Sequence, residues 1–196
     1  FGVLFFLSNL DHDKNIDLPQ AFILTALSWL SIAIFGSLPF IFSDLNLNFT
    51  DAFFESMSGI TTTGSTILTD LDNTSKAILL WRAILQWLGG IGIILMAITL
   101  MSIMNIGGMQ LFKISSNDNA EKILPKSKEV SLRLIVIYSF LTFVCAIFYK
   151  LFGMSYFDSL THSMTTIATG GFSNYNNSIG HFNSTLIEIN AIIFII

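Results

Sequence analysis

The chain alternates long apolar segments with half-length ones, and those lengths restrict what it can fold into. A helix needs about 20 mostly apolar residues to cross the hydrocarbon core of a bilayer. Leu18–Phe42, Ala77–Met104 and Val130–Phe152 meet that length, and Leu186–Ile196 reads as the first half of a fourth span. Between them lie two shorter segments of helical pattern, Thr50–Ile60 (TDAFFESMSGI) and Tyr156–Ile167 (YFDSLTHSMTTI). At about 1.5 Å per residue, each reaches roughly halfway through a membrane. A segment that enters and cannot cross must turn back. The turning backbone is tolerated at that depth only where protein buries it or it lines water. Thr50 and Ser155 are the expected N-caps, with Asp51 and Asp158 placing negative charge near the helix N-termini.

Composition agrees with a lipid environment. Only 11% of the 196 residues are charged and 53% are hydrophobic, with a mean hydropathy of +0.70. A water-soluble domain carries about 25% charged residues. The net charge of −4 is small and dispersed, which excludes a nucleic-acid partner. Cys145 is the single cysteine, so no intrachain disulfide forms, and its place in LTFVCAIF suits a small buried hydrophobe. Phe1–Leu7 reads as the end of an earlier span and no signal-peptide pattern opens the chain, so the expectation is an internal stretch of a longer protein.

Orientation is read from lysine and arginine. The connection 105–129 carries Lys113, Lys122, Lys126 and Lys128, with Arg133 just beyond. The stretches Ser43–Asn48 and Thr66–Ser75 carry aspartates and no basic residue, and FSNYNNSIGHFNS after the second half-length segment carries neither lysine nor arginine. By the positive-inside bias the 105–129 loop is cytoplasmic and the others face out. That loop separates two copies of one plan: span, half-helix, polar hairpin, span. Residues 1–17 precede the first copy, 18–104 form it, and 130–196 form the second.

The hairpins carry the chemistry. SMSGITTTGST in the first copy and SMTTIATGGFS in the second match closely at T-G, with one gap needed to align Gly64 with Gly170. A half-helix ending inside the bilayer places about half a negative charge at its C-terminus, which favours a cation. Carbonyls of the following residues can replace the water around a dehydrated potassium ion. Glycine permits the backbone angles that aim them, and threonine keeps the passage narrow and polar. Oxygen ligands without a carboxylate cluster suit a monovalent ion better than a divalent one.

DAFFESMSGITTTGSTIL, LLWRAILQWLGGIGIILMAI, GGMQLFK and FDSLTHSMTTIATGGFSNYNNSIGHFNS together resemble the TrkH-type membrane subunits of the Trk/Ktr/HKT potassium-transporter superfamily. The resemblance implies an all-α membrane protein of potassium-channel-like M1–P-loop–M2 units, four around one pore, with two in this stretch. It places filter hairpins at 61–66 and 168–172, with Thr62, Thr63 and Gly64 from the first and Ala168, Thr169 and Gly170 from the second as the ion-binding positions. The implied activity is potassium uptake across the inner membrane of a bacterium, with filters opening outward and no cofactor. A homodimer and a cytoplasmic nucleotide-binding regulatory subunit of the TrkA type are the implied partners. Sodium transport, or sodium-coupled potassium transport, by the same fold is the alternative. An intramembrane enzyme is a more distant one, because His12, His162 and His181 show no ligand spacing of the HExxH kind. A scaffold does not explain why the hairpin recurs.

Other polar residues have plainer expectations. Arg82 reads as an interfacial anchor beside Trp81 and Trp87, ahead of a part in an external vestibule. Glu55 and His162 read as braces of the hairpins rather than as ion ligands. Gly89, Gly90 and Gly92 read as sites of close helix approach or of a bend. The lysines of 113–128 either dock a regulator or only set topology.

Overall fold

The computed structural model describes residues 18–104 and 123–196, which form helices and loops with no strand among them. The order is α1 (Leu18–Ile41), α2 (Phe49–Ile60), α3 (Lys76–Met104), α4 (Ile123–Leu151), α5 (Tyr156–Ile167), a 3-10 turn (Ser178–Phe182) and α6 (Thr185–Ile195). Three of these are long and apolar enough to cross a membrane, over Pro19–Ile41, Lys76–Ile98 and Glu129–Leu151. The expected earlier span at Phe1–Leu7 and most of the basic connection, 105–122, lie outside the described residues. Residues 123–129, read from sequence as the end of that connection, are the first turns of α4. Pro125 does not prevent this, because the first turn of a helix needs no N–H from it.

Both half-length segments are 12-residue helices. Ser155 caps α5 as expected, its hydroxyl accepting the Asp158 N–H. The cap of α2 is Asn48 and not Thr50: the Asn48 side chain accepts the Asp51 N–H, and Thr50 is already helical. Asparagine two positions upstream is the better acceptor at this geometry, and it starts the helix one residue earlier than the apolar pattern suggests.

The half-helices do not sit on the surface. Helix α2 packs between α1 and α3, and α5 packs between α4 and α3, so α3 is the shared wall of both units. The partition of residues is inverted relative to a water-soluble domain. Phe35, Val136, Phe140 and Phe143 on α1 and α4 are exposed, which suits lipid, while Glu55, Arg82, Gln86, Thr161 and His162 are buried. An apolar cluster holds each unit together. Phe40, Ala52, Ile78 and Leu85 join α1, α2 and α3, and Cys145, Tyr149, Met154, Ile187 and Ala191 join α4 to α6.

The glycines of α3 divide by what they face. A Cβ on Gly89 would lie 2.0 Å from the Ile60 carbonyl oxygen, so only glycine lets α3 touch the end of α2. Gly90 is similarly pressed by Tyr138 and Ala168. Gly92 meets nothing nearer than the Trp29 ring at 3.9 Å and serves no close approach.

Candidate functional site

Each half-helix ends in the same backbone figure. After α2, Thr62 (φ 55°) and Gly64 (φ 79°) take left-handed conformations on either side of Thr63. After α5, Thr169 (φ 54°) and Gly171 (φ 77°) do the same on either side of Gly170. The hydrogen bonds repeat as well. The N–H groups of Thr63 and Gly64 turn back to the Ser58 carbonyl at 3.0 and 3.5 Å, and those of Gly170 and Gly171 turn back to Thr165 at 3.0 and 3.5 Å. In a trans peptide the carbonyl points opposite the N–H. The oxygens of Thr62, Thr63, Thr169 and Gly170 therefore point away from the half-helices that hold them.

The two units share one register throughout. Asn48 pairs with Ser155, Asp51 with Asp158, Glu55 with His162 and Gly64 with Gly171, each separated by 107 positions (48 to 155, 64 to 171). No gap is needed. The identical letters T-G had aligned Gly64 with Gly170, but the backbone matches positive φ to positive φ. Ala168 is the C-cap of α5 and the counterpart of Thr61; Gly171 takes the place opposite Gly64. Gly170 is glycine for another reason, since a Cβ there would lie 2.4 Å from the Gln86 amide carbon. The loops also approach one another: a Cβ on Gly64 would come within 2.0 Å of the Gly170 carbonyl oxygen.

Behind the loops, equivalent positions carry different chemistry to one end. The Glu55 carboxylate accepts the Thr66 hydroxyl (2.9 Å to Oε1) and the Ile67 N–H (3.1 Å to Oε2). Its counterpart His162 reaches Ser173, the counterpart of Thr66, with Nε2 3.0 Å from the hydroxyl. Nδ1 of His162 faces the Asp158 carbonyl at 2.9 Å, which can only accept, so the proton belongs on Nδ1. Nε2 then accepts from Ser173. Both side chains are braces, as their positions on the half-helices suggested.

Arg82 is neither an interfacial anchor nor a vestibule lining. It is 1% exposed; its Nε donates to Glu55 Oε1 at 2.8 Å, and its Nη1 donates to the Ser173 carbonyl at 3.0 Å. The flanking tryptophans point inward too, Trp81 donating to the Gly36 carbonyl and Trp87 to the Thr142 hydroxyl. One turn further along α3, Gln86 accepts the Phe172 N–H at 3.1 Å. Sequence reasoning passed over Gln86. Its signal was available: an amide inside a span, four residues from an arginine, demands buried partners.

Asn176 clasps together the two loops that follow the hairpins. Its amide oxygen accepts the Leu71 N–H at 3.0 Å and its nitrogen donates to Asp72 at 2.8 Å. Asp158 organises the loop after α5. Burial pushes its carboxyl pKa up, yet hydrogen bonds from Ser155, Asn174 and Tyr175 outweigh this and hold it below the ordinary value of 3.8. A depressed carboxylate contributes stability above its unfolded pKa and loses it as pH falls through the folded one. Asp158→Asn should therefore destabilise the full-length protein at pH 7 and flatten the acid limb of its melting temperature below about pH 4. An acid limb as steep as the parent's would show that Asp158 is not the group titrating there.

Comparison with known proteins places this geometry. The family profile described as "TrkH: Cation transport protein" matches residues 2–196. The Trk system potassium uptake protein TrkH of Vibrio parahaemolyticus is 40% identical over 198 residues, covering 100% of this chain and 41% of that protein. TrkH of Escherichia coli K12 is 44% identical over 182 residues, covering 90% and 37% respectively. The potassium uptake protein TrkI of Halomonas elongata is 45% identical over 163 residues, covering 83% of this chain and 33% of its own. The crystal structure of the Vibrio parahaemolyticus potassium transporter TrkH is similar with a TM-score of 0.79 at 38% identity, over 98% of this chain and 40% of that one. The chain thus spans about two fifths of the length of the relatives it matches.

Proposed function

Because the chain belongs to the TrkH family of cation transport proteins, we propose that its two re-entrant loops form part of the selectivity filter of a potassium-uptake pore in a bacterial inner membrane. The observation that carries this reading is the repeated figure itself: a half-helix aimed at a loop whose N–H groups turn back and whose carbonyls face away. On this reading the filter positions are Thr62, Thr63 and Gly64 in the first unit and Thr169, Gly170 and Gly171 in the second, with Ala168 supporting them as a helix cap. The helix ends add partial negative charge, worth up to about 2 kcal/mol for a nearby cation in a partly buried setting. The carbonyls replace part of its hydration shell.

The same reading turns the filter mouth outward, toward Asp70, Asp72 and Asp158, and puts the basic connection between α3 and α4 in the cytoplasm. The reading extends to a regulatory subunit of the TrkA type and a homodimer as its partners. With a single glycine in the first unit's filter, against two in a TVGYG filter, discrimination of potassium from rubidium and sodium should be incomplete.

The test is tracer uptake by the full-length protein in a bacterial strain lacking potassium uptake. Rubidium uptake above background is the expected result, competed by potassium better than by sodium. A Cβ on Gly64 would stand 2.0 Å from the Gly170 carbonyl oxygen, and Gly171 sits at a positive φ that side chains oppose. Gly64→Ser and Gly171→Ser must therefore each shift the loop carbonyls and should cut rubidium-over-sodium preference by about tenfold. Unchanged preference in both would remove the filter assignment, and sodium preferred by the parent would replace potassium as the cargo.

A further inference from the structure

Helix α3 belongs to the first unit by sequence, yet its two buried long polar side chains grip the second. Arg82 joins Glu55 on α2 to the Ser173 carbonyl beyond the second loop, across 27 and 91 residues of sequence. Its guanidinium also lies over the Phe172 ring, 4.1 Å from the centroid. Gln86 holds the Phe172 N–H. Trans geometry therefore sends the Gly171 carbonyl away from Gln86. The Gln86 amide also fills the space a side chain at position 170 would need.

The first loop is held differently. Ser58 donates to the Ser65 carbonyl, and Glu55 takes Thr66 and Ile67, all within the α2 unit. The second loop has His162 on its own half-helix and then depends on α3 for Phe172 and Ser173. Arg82 thus ties the α2 unit to the second loop, and Gln86, one helical turn on, holds that loop from the same helix.

We infer that Arg82 and Gln86 are positioning residues for ion selection, struts that fix the second loop's carbonyls relative to the first without touching the ion. The inference rests on the filter reading above. A binding constellation works only when held within about 0.5 Å of its productive geometry, so displaced carbonyls should discriminate less between ions. Lysine cannot replace the arginine, because a single ammonium lacks the planar fork that reaches a carboxylate and a carbonyl together. Leucine at position 86 keeps the bulk and removes the acceptor.

The experiment uses the full-length protein in the same uptake-deficient strain, with rubidium and sodium tracers at equal concentration and membrane abundance measured in parallel. Arg82→Lys and Gln86→Leu are expected to reach the membrane and conduct, with rubidium-over-sodium preference reduced about fivefold or more. Gln86→Glu, which retains an acceptor for the Phe172 N–H, should keep more of that preference than Gln86→Leu. A merely structural role would lower abundance and leave the preference unchanged. Parental preference in both Arg82→Lys and Gln86→Leu, while Gly64→Ser and Gly171→Ser lower it, overturns the struts and leaves the filter. Parental preference in all four variants overturns both. Should Arg82→Lys fail to accumulate, Gln86→Leu, which alters no charge, decides the question alone.

Discussion

Gly89→Ala lowers the thermal unfolding temperature of the detergent-solubilised full-length protein sharply, while Gly92→Ala three residues on leaves it unchanged or raises it. Both changes gain the same helix propensity, about 1 kcal/mol for alanine over glycine. They differ in what the new methyl meets. At 89 it would stand 2.0 Å from the Ile60 oxygen and 2.7 Å from the Ile60 carbonyl carbon, both backbone atoms at the end of α2. Side chains can rotate away from such a contact and a helix end cannot. Overpacking ordinarily costs about 1–3 kcal/mol, and the upper part of that range applies where backbone must move. The propensity gain is then outweighed. At 92 the Trp29 ring at 3.9 Å is ordinary contact distance. Equal melting temperatures for the two variants would show that α3 and α2 are not in backbone contact.

Glu55→Ala is expected to be the most damaging single truncation of a side chain. It leaves the buried Arg82 guanidinium without its counter-charge and orphans the Ile67 N–H. Removing one partner of a buried ion pair costs about 3–5 kcal/mol, whereas replacing both partners by apolar groups of similar size is often close to neutral. The double variant Glu55→Met with Arg82→Met should therefore melt above Glu55→Ala. Its recovery will be partial, because Arg82 also serves the Ser173 carbonyl and the Phe172 ring. A double variant no more stable than the single would mean that those two contacts, and not charge neutralisation, carry the stabilisation. Both readings keep Arg82 inside the protein, away from the interface that its tryptophan neighbours suggest.

Much of the candidate site could be read from residue order, and the parts that could not share a cause. Ser155 declared itself as a cap because serine followed by aspartate three positions on is a local signal. Asn48 stands at the same spacing from Asp51, but Thr50, itself a capping residue beside Asp51, masks that signal. The gap between Gly64 and Gly170 arose the same way, since letter identity stood in for backbone conformation. Thr63 and Gly170 occupy one position in the repeat, and only Gln86 in space explains why the second is glycine. Glu55 and His162 share no charge or shape, yet they brace Thr66 and Ser173 at matching places. A comparison by letter misses that equivalence, and a comparison by hydrogen bond finds it.

Segment length alone settled that three helices can cross a membrane and that two between them cannot, because hydrocarbon thickness is an external ruler that needs no tertiary contact. Recurrence of hydroxyl and glycine after each half-helix settled where the chain turns back, since left-handed backbone and orphaned helix carbonyls are local demands. What α3 does was decided only by the folded arrangement. Its glycines, Arg82 and Gln86 meet partners that are distant in sequence, up to 91 residues for the Arg82–Ser173 contact. No periodicity reports such distances. The burial of a charge in particular is legible only once its counter-charge is seen beside it, because the same arginine at a span end is at home in water or against Glu55.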